Sequence, residues 1–367
     1  MTALSPGRSA TTTDGRSKPP TIFDVAAEAG VSKSTVSNVV RGVEEVSAAT
    51  RERVLAAIER LGYKPNAIAR QFVRQQTTML GVLLGDLSNP YYAQMAQVVE
   101  REAFGFGYTT MFCNIEGEEE IAVAGVDALL GHRVAGVVFL AYVPSPSEAY
   151  ASLRRAGVPI VFLGLSEPWG DSVGPRDAEG GRMATEHLVD LGHRRIAYVR
   201  TPLVERSGDR ARYSGYRTAI RRRGLEPLPA YVWEPGVDAV RIGRETVSLR
   251  DAVAGSRGPT ALFASNDIGA IALIEACETA GLSVPEDLSV VGFDDIAIAG
   301  MHRISLTTVA QPMQFQAEHA VRLLLERIES PSIAPRHVRV PVDLRIRGST
   351  AAFGPSAKRL RHARSPR

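Results

Sequence analysis

The stretch TIFDVAAEAGVSKSTVSNVVRG, residues 21–42, decides how this chain of 367 residues is read. Thr21 and Asp24 are spaced as a capping box, and Ile22, Val25, Ala26 and Ala29 then recur at helical spacing. Gly30 stops that helix. Ser32 opens a second, with Val36, Val39 and Val40 as its buried face and Gly42 as its end. Small Ala26 and Ala29 allow the helices to approach, and Val31 and Val36 fill the angle between them. A third helix starts at Ser47, carries Val54, Leu55, Ile58 and Leu61 on one side and ends at Gly62. Two short helices on a tight glycine turn, braced by a third, have the form of a helix-turn-helix. The outward side of the second helix offers Lys33, Ser34, Thr35, Ser37, Asn38 and Arg41, hydrogen-bonding side chains on the element that would enter a major groove. A small three-helix bundle with a polar face fits the same periodicity.

The charge distribution agrees with a nucleic-acid partner at one end. Net charge is +3; residues 1–20, 21–75 and 354–367 carry +2, +2 and +5, leaving −6 on residues 76–353. Cys113 and Cys277 cannot build a disulfide framework and form no CxxC pair, so a reducing cytoplasm is the expected compartment. No run of 18 apolar residues indicates a membrane span, and residues 1–20, lacking an apolar stretch, read as a disordered tail rather than a secretory signal.

From Met79 onward the texture changes. Apolar runs at Leu80–Leu84, Thr109–Cys113, Val134–Leu140, Ile160–Leu163, Ile196–Val199, Ala261–Ala264 and Leu288–Val291 alternate with helical patterns at Ala93–Phe104, Arg182–Leu191, Ile268–Ala280 and Gln314–Ile328. Alternating βα units imply parallel sheets covered on both faces. Their length exceeds one ordinary domain, so two α/β lobes with a cleft are expected. Asn266 and Asp294 end two of the runs, where open α/β sheets bind ligands. Other signals carry little. Gly105-Phe-Gly107 follows a helix instead of a strand. The acids between Glu116 and Glu120 read as a solvated helix start. His187 and His193, near a surface helix end, have no metal-ligand spacing, and neighbouring Asp294 and Asp295 do not aim at one atom. No HExxH or GxxxxGK[ST] motif occurs.

Residues 21–42 together with VSAATRERVLAAIERLGYKPNAIAR (46–70), LGVLLGDLSNPYY (80–92), ATEHLVDLGHRRIAYV (184–199), FASNDIGAIALIEA (263–276), LSVVGFDDI (288–296), LTTVAQP (306–312) and LRIRGST (344–350) resemble the lac-repressor/purine-repressor family of bacterial transcription regulators. The likeness spans about 330 residues and leaves out only the tails. It implies a helix-turn-helix domain at 21–63, a hinge helix and linker at 64–78, and a two-lobed, periplasmic-binding-protein-like core of two doubly wound parallel sheets at 79–353. The chain would cross between lobes near 178 and 305, and a basic tail follows at 354–367. It further implies a sequence-specific repressor, a homodimer on pseudo-palindromic double-stranded operator DNA. A small-molecule effector, sugar or nucleoside-like, would control it from between the lobes. No cofactor, metal or catalysis is expected. A solute-binding protein of sugar transport would share the core, but not residues 21–74.

By that resemblance Lys33, Ser34 and Asn38 face base edges, and Asn38 departs from the arginine usual there: arginine reads guanine bidentately, whereas asparagine suits adenine or reaches less far. Thr21, Ser32, Thr35 and Ser37 hold phosphates, with Arg41 and Tyr63 completing the contact. In the hinge, Asn66, Ala69 and Arg70 accompany Phe72, which replaces a leucine that wedges into the minor groove; packing of Phe72 on the core is the alternative. Tyr91 and Tyr92 match an aromatic pair lining the effector pocket, and Arg206 and Arg212 match arginines that bind ligand polar groups, facing Asn266 and Asp294. Each polar residue could instead bridge lobes or cap a loop. Gly164 stands where sugar-responsive relatives have an aspartate, and no aromatic aligns near Val237, which leaves the ligand open. The C-terminal tail lacks heptads, so no tetramerising zipper is expected.

Overall fold

The computed structural model describes residues 20–40, 46–63, 77–141, 147–164, 167–200, 208–233, 240–254 and 258–354. Nearly all of both expected tails and most of the expected hinge lie outside the described residues, as do Arg41, Gly42, Asn66, Ala69, Arg70, Phe72, Arg206 and Val237. Two compact units are present, Met1–Thr77 and Thr78–Arg367.

In the first unit, α1 (Ile22–Ala29) opens on the Thr21–Asp24 capping box and closes at Gly30, whose φ of 63° is left-handed. The turn leads into α2 (Lys33–Val40), where the Ser32 hydroxyl accepts from the Thr35 amide at 3.0 Å. Helix α3 (Ala48–Leu61) is capped by Ser47 and ends at left-handed Gly62. Val25, Ala26, Ala29, Val36, Val39, Val54 and Ala57 form the core. Leu55, expected on the buried side of α3, is 52% exposed. One residue turns a helix by about 100°, so the stripe runs through Val54 and Ala57 and leaves Leu55 on the flank.

The second unit has two sheets. The first consists of β1 (Met79–Leu84), β2 (Thr109–Asn114), β3 (Gly136–Leu140), β4 (Ile160–Leu163), β5 (Asp171–Pro175) and β13 (His337–Val340), in the order β13-β5-β4-β3-β1-β2 and parallel throughout. Helices α4 (Pro90–Gly105) and α11 (Met313–Glu329) pack on one side, α5 (Glu119–Gly131) and α6 (Glu148–Arg155) on the other. Strand β1 shows why: Leu80, Val82 and Leu84 face the α4 side while Leu83 faces Ala122 and Val126 of α5, so the run must be apolar at every step. Each such side chain removed from water contributes about 1.5–3 kcal/mol.

The second sheet holds β6 (Ile196–Arg200), β7 (Tyr231–Trp233), β8 (Val240–Ile242), β9 (Glu245–Val247), β10 (Ala261–Ala264), β11 (Ser289–Asp294), β12 (Thr307–Ala310) and β14 (Asp343–Arg345), ordered β14-β12-β11-β10-β6-β7-β8-β9. Its centre is parallel, but β14, β8 and β9 pair antiparallel at the two edges. Helices α7 (Asp177–Asp190) and α8 (Asp209–Arg222) cover one face; α9 (Leu249–Ala254) and α10 (Asp267–Thr279) cover the other.

The chain passes between the sheets three times, after β5 at Arg176, after β12 at residues 311–312, and between β13 and β14 at residues 341–342. The sequence suggests two passages, near 178 and 305. Pairing of β12 with β11 keeps the chain in the second lobe through Ala310, and β14 is too short to show in the apolar pattern. Among the described residues no helix is long and apolar enough to cross a membrane. His193, read as a surface residue, is buried: its ring bonds Thr260 and Ser289 at 2.9 and 3.1 Å and ties the end of α7 to β11.

Helices α7 and α8 meet backbone to backbone. A Cβ on Gly215 would lie 2.1 Å from the Ala178 carbonyl oxygen, and one on Gly181 would lie 2.2 Å from that of Arg212. Neither oxygen can yield without parting the helices. Gly215→Ala is therefore expected to lower stability by about 1–3 kcal/mol, read as a reduced melting temperature; an unchanged melt would contradict this crossing.

Candidate functional site

On α2, Ser32, Lys33 and Ser34 are exposed, while Thr35, Ser37 and Asn38 are half-buried. The Ser32 hydroxyl lies 2.7 Å from that of Ser34 and 2.8 Å from that of Thr35. Three hydroxyls thus gather at a helix N-terminus, where free amides and the dipole favour an anion. Thr21 spends its hydroxyl on the α1 cap, and Tyr63 packs half-buried on the three-helix core. Phe23 was not singled out by sequence. It is 63% exposed, and the Lys33 ammonium lies 5.0 Å from its ring centroid, a cation–π contact that restrains the lysine. The available signal was its place outside the apolar stripe of α1.

In the second unit, the C-terminal ends of the parallel strands deliver the polar residues. Arg212, near the start of α8, is buried. Its Nε donates to Asp177 Oδ1 at 2.9 Å, its Nη1 donates to the Ser265 carbonyl at 2.6 Å and lies 4.0 Å from Asp294 Oδ1, and its plane stacks 3.7 Å from the Phe293 ring centroid. All these partners belong to the second lobe, so Arg212 is not a bridge between lobes. Asp294 ends β11 with a φ of 130° and Asp295 follows at 58°, a strained pair of the kind that clusters at functional sites. The strain separates their side chains: Asp295 turns to Arg347 at 2.6 Å, while Asp294 Oδ1 accepts from Gln311 Nε2 at 2.6 Å. Asn266 caps α10, its Oδ1 accepting from the Gly269 amide at 2.8 Å, which leaves its amide NH2 to offer.

The first lobe contributes Tyr91 and Tyr92. Asn89 caps α4 and Pro90 occupies its first turn, which fixes both rings at the end of β1, edge to face with centroids 5.3 Å apart. Gly85 is required beside them, because a Cβ there would lie 2.8 Å from the Tyr92 ring. Gly164 faces the Tyr91 hydroxyl, 3.8 Å from where its Cβ would be. The Asp294 carboxylate is close enough to affect both phenols: burial first, then Asp294, raises Tyr91 well above its ordinary value and Tyr92 to about 12. Tyr91, Tyr92, Arg212 and Asp294 therefore share one site, with Asn266 at a neighbouring strand end.

Burial opposes the Arg212 charge, but Asp177 and Asp294 outweigh it and raise its pKa. Burial pushes Asp294 up to about 8 against the pull of Arg212, and Asp267, held by Thr308 and the Ile296 amide, up to about 6. Among the described residues no cluster of His, Cys, Asp or Glu could hold a metal ion.

Known proteins resemble this chain in sequence and fold. Residues 21–66 match the model of bacterial regulatory proteins of the lacI family, and residues 185–350 match a periplasmic binding protein-like domain. The ribose operon repressor of Escherichia coli (strain K12) is 34% identical over 90% of this chain and 99% of its own length. The chain belongs to the lacI family of bacterial regulatory proteins. Among solved structures of the family, the lac repressor dimer bound to operator and the anti-inducer ONPF superposes on this regulator with a TM-score of 0.76 at 30% identity, covering 91% of this chain and 100% of that one. A family member from Enterococcus faecium with bound ribose gives 0.63 at 28% identity, covering 75% and 100%.

The raised pKa of Asp294 has a signed consequence for the regulator. A carboxyl whose pKa rises on folding contributes stability that is full below its unfolded value, near 4, and lost as pH climbs to the folded value near 8. Asp294→Asn has no such loss. Its melting temperature relative to wild type is expected to rise from pH 5 to 8 and level off above; a constant difference would contradict the buried, uncompensated carboxyl.

Proposed function

We propose that the regulator is a cytoplasmic, non-enzymatic repressor that binds pseudo-palindromic operator DNA as a homodimer and answers to a neutral sugar held between its lobes. On this reading Lys33, Ser34 and Asn38 read bases, and Thr21, Ser32, Thr35, Ser37, Arg41 and Tyr63 hold the backbone. Asn66, Ala69, Arg70 and Phe72 belong to a hinge that enters the minor groove. Tyr91, Tyr92, Arg206, Arg212, Asn266 and Asp294 bind the effector.

One observation carries the effector assignment: a buried guanidinium and a buried carboxyl lie 4.0 Å apart in a site that also holds two tyrosine rings from the opposite lobe. The guanidinium is already neutralised by Asp177, so the site favours an uncharged ligand with several hydroxyls. Arg212 has donors left, Asp294 has acceptor positions left, and aromatic faces suit the C–H surface of a sugar ring. The bound ribose in the Enterococcus faecium relative supports a pentose as the first candidate.

Truncating either clamp residue leaves the other and the ligand hydroxyls unpaired, which costs about 1–3 kcal/mol of binding. Calorimetry of Arg212→Ala and Asp294→Ala with D-ribose is therefore expected to show affinity reduced by about five- to 150-fold. Mobility shifts without sugar are expected to match wild type, since the DNA-reading residues lie in the other unit. Ribose binding unaltered in both variants would place the effector elsewhere.

A further inference from the structure

The hydrogen-bond chain from Asp294 does not stop at Gln311. Gln311 lies on the passage after β12, and its Oε1 accepts from Nε2 of Gln316 at 3.3 Å. Gln316 is in the first turn of α11, on the first lobe, and is completely buried. Its remaining atom, Oε1, has no hydrogen-bond partner. With Asp294 ionised, the polarity of the chain fixes which atom is left over. Asp294 Oδ1 accepts, so Gln311 turns its NH2 toward it and its oxygen toward Gln316. Gln316 must then present its own NH2 to Gln311 and leave its oxygen for another group. A buried acceptor without a donor forfeits its hydration with nothing in return, and native interiors rarely keep one without a use. An aliphatic side chain of similar size would avoid that cost among the alanines and leucines that line this helix.

We infer that Gln316 is a specificity residue of the effector cleft, whose Oε1 accepts a hydrogen bond from one hydroxyl of the bound sugar. The inference rests on the sugar reading above and extends it. The second lobe reads the ligand through Arg212 and Asp294, and the first lobe reads one further hydroxyl through α11. An effector lacking that hydroxyl leaves the acceptor unpaired in the closed cleft and is rejected by the difference.

The test uses the full-length regulator, wild type and Gln316→Leu, titrated calorimetrically with D-ribose and with 2-deoxy-, 3-deoxy- and 5-deoxy-D-ribose. The titrations are run at pH 9, above the raised value of Asp294, where the ionised carboxylate that sets the polarity of the chain is favoured. In wild type, one deoxy sugar is expected to bind at least about tenfold more weakly than ribose through loss of this bond. That penalty disappears in Gln316→Leu, while the penalties for the other deoxy sugars stay. Melting of the ligand-free protein is a second readout that needs no ligand. Gln316→Leu and Gln316→Met are expected to melt at or above wild type, because each removes a buried unpaired acceptor. The same deoxy profile in wild type and Gln316→Leu would overturn the assignment alone. So would a melting temperature several degrees lower in both variants, which would make Gln316 a structural residue bonded to buried water. Wild type that binds no ribose would remove the pentose reading and the assignment with it.

Discussion

The burial of one guanidinium governs the second lobe. A charge withdrawn from water has to be matched by partners fixed in place, and removing one partner of such a pair is far costlier than forming the pair is favourable. Arg212 meets this demand by drawing four elements to a point: the first turn of α7 through Asp177, the end of β10 through the Ser265 carbonyl, and the end of β11 through Phe293 and Asp294, all around α8. Glycine makes that convergence possible. Without Gly181 and Gly215 the two helices could not come close enough for Arg212 to reach Asp177. The residue that organises the lobe is thus also one that a polar ligand would meet, so the site is held rigid by the same contacts that stabilise the fold.

Connectivity then sets how the two lobes communicate. Three strands of chain join them, and the one after β12 carries Gln311, bonded to Asp294 on one side and to Gln316 on the other. A path two hydrogen bonds long thus connects Asp294 with the first lobe. Strain at Asp294, whose φ of 130° is held by the surrounding sheet, is consistent with a residue kept in place for a purpose beyond packing.

Much of this architecture could be read from residue order. The Thr21–Asp24 box, the glycines at 30 and 62 and the unbroken apolar runs of β1, β4, β6 and β10 are local signals, and local physics decided them. What escaped was decided at long range. Strand β5 begins Asp171-Ser172, which reads as a loop; it is a buried strand because Arg327 and Arg336 reach Asp171 from α11 and the segment before β13. Helix α8 carries five arginines in fourteen residues, which hides the stripe of Arg212, Gly215, Tyr216, Ala219 and Ile220. Tyr91, Tyr92 and Arg212 were named from family likeness and Asp294 from its place at a strand end as well, and their convergence comes from the topology. Gln311 and Gln316 had no sequence signal as site residues, because their relation to Asp294 exists only in three dimensions.

A regulator whose operator affinity answers to its effector has cleft and operator thermodynamically linked. The direct measurement is operator affinity by fluorescence anisotropy across a D-ribose titration, paired with ribose affinity measured with and without saturating operator. Linkage requires both affinities to change by the same factor. That equality is expected, with operator affinity following occupancy of the cleft. Ribose that saturates the cleft while operator affinity stays constant would contradict it.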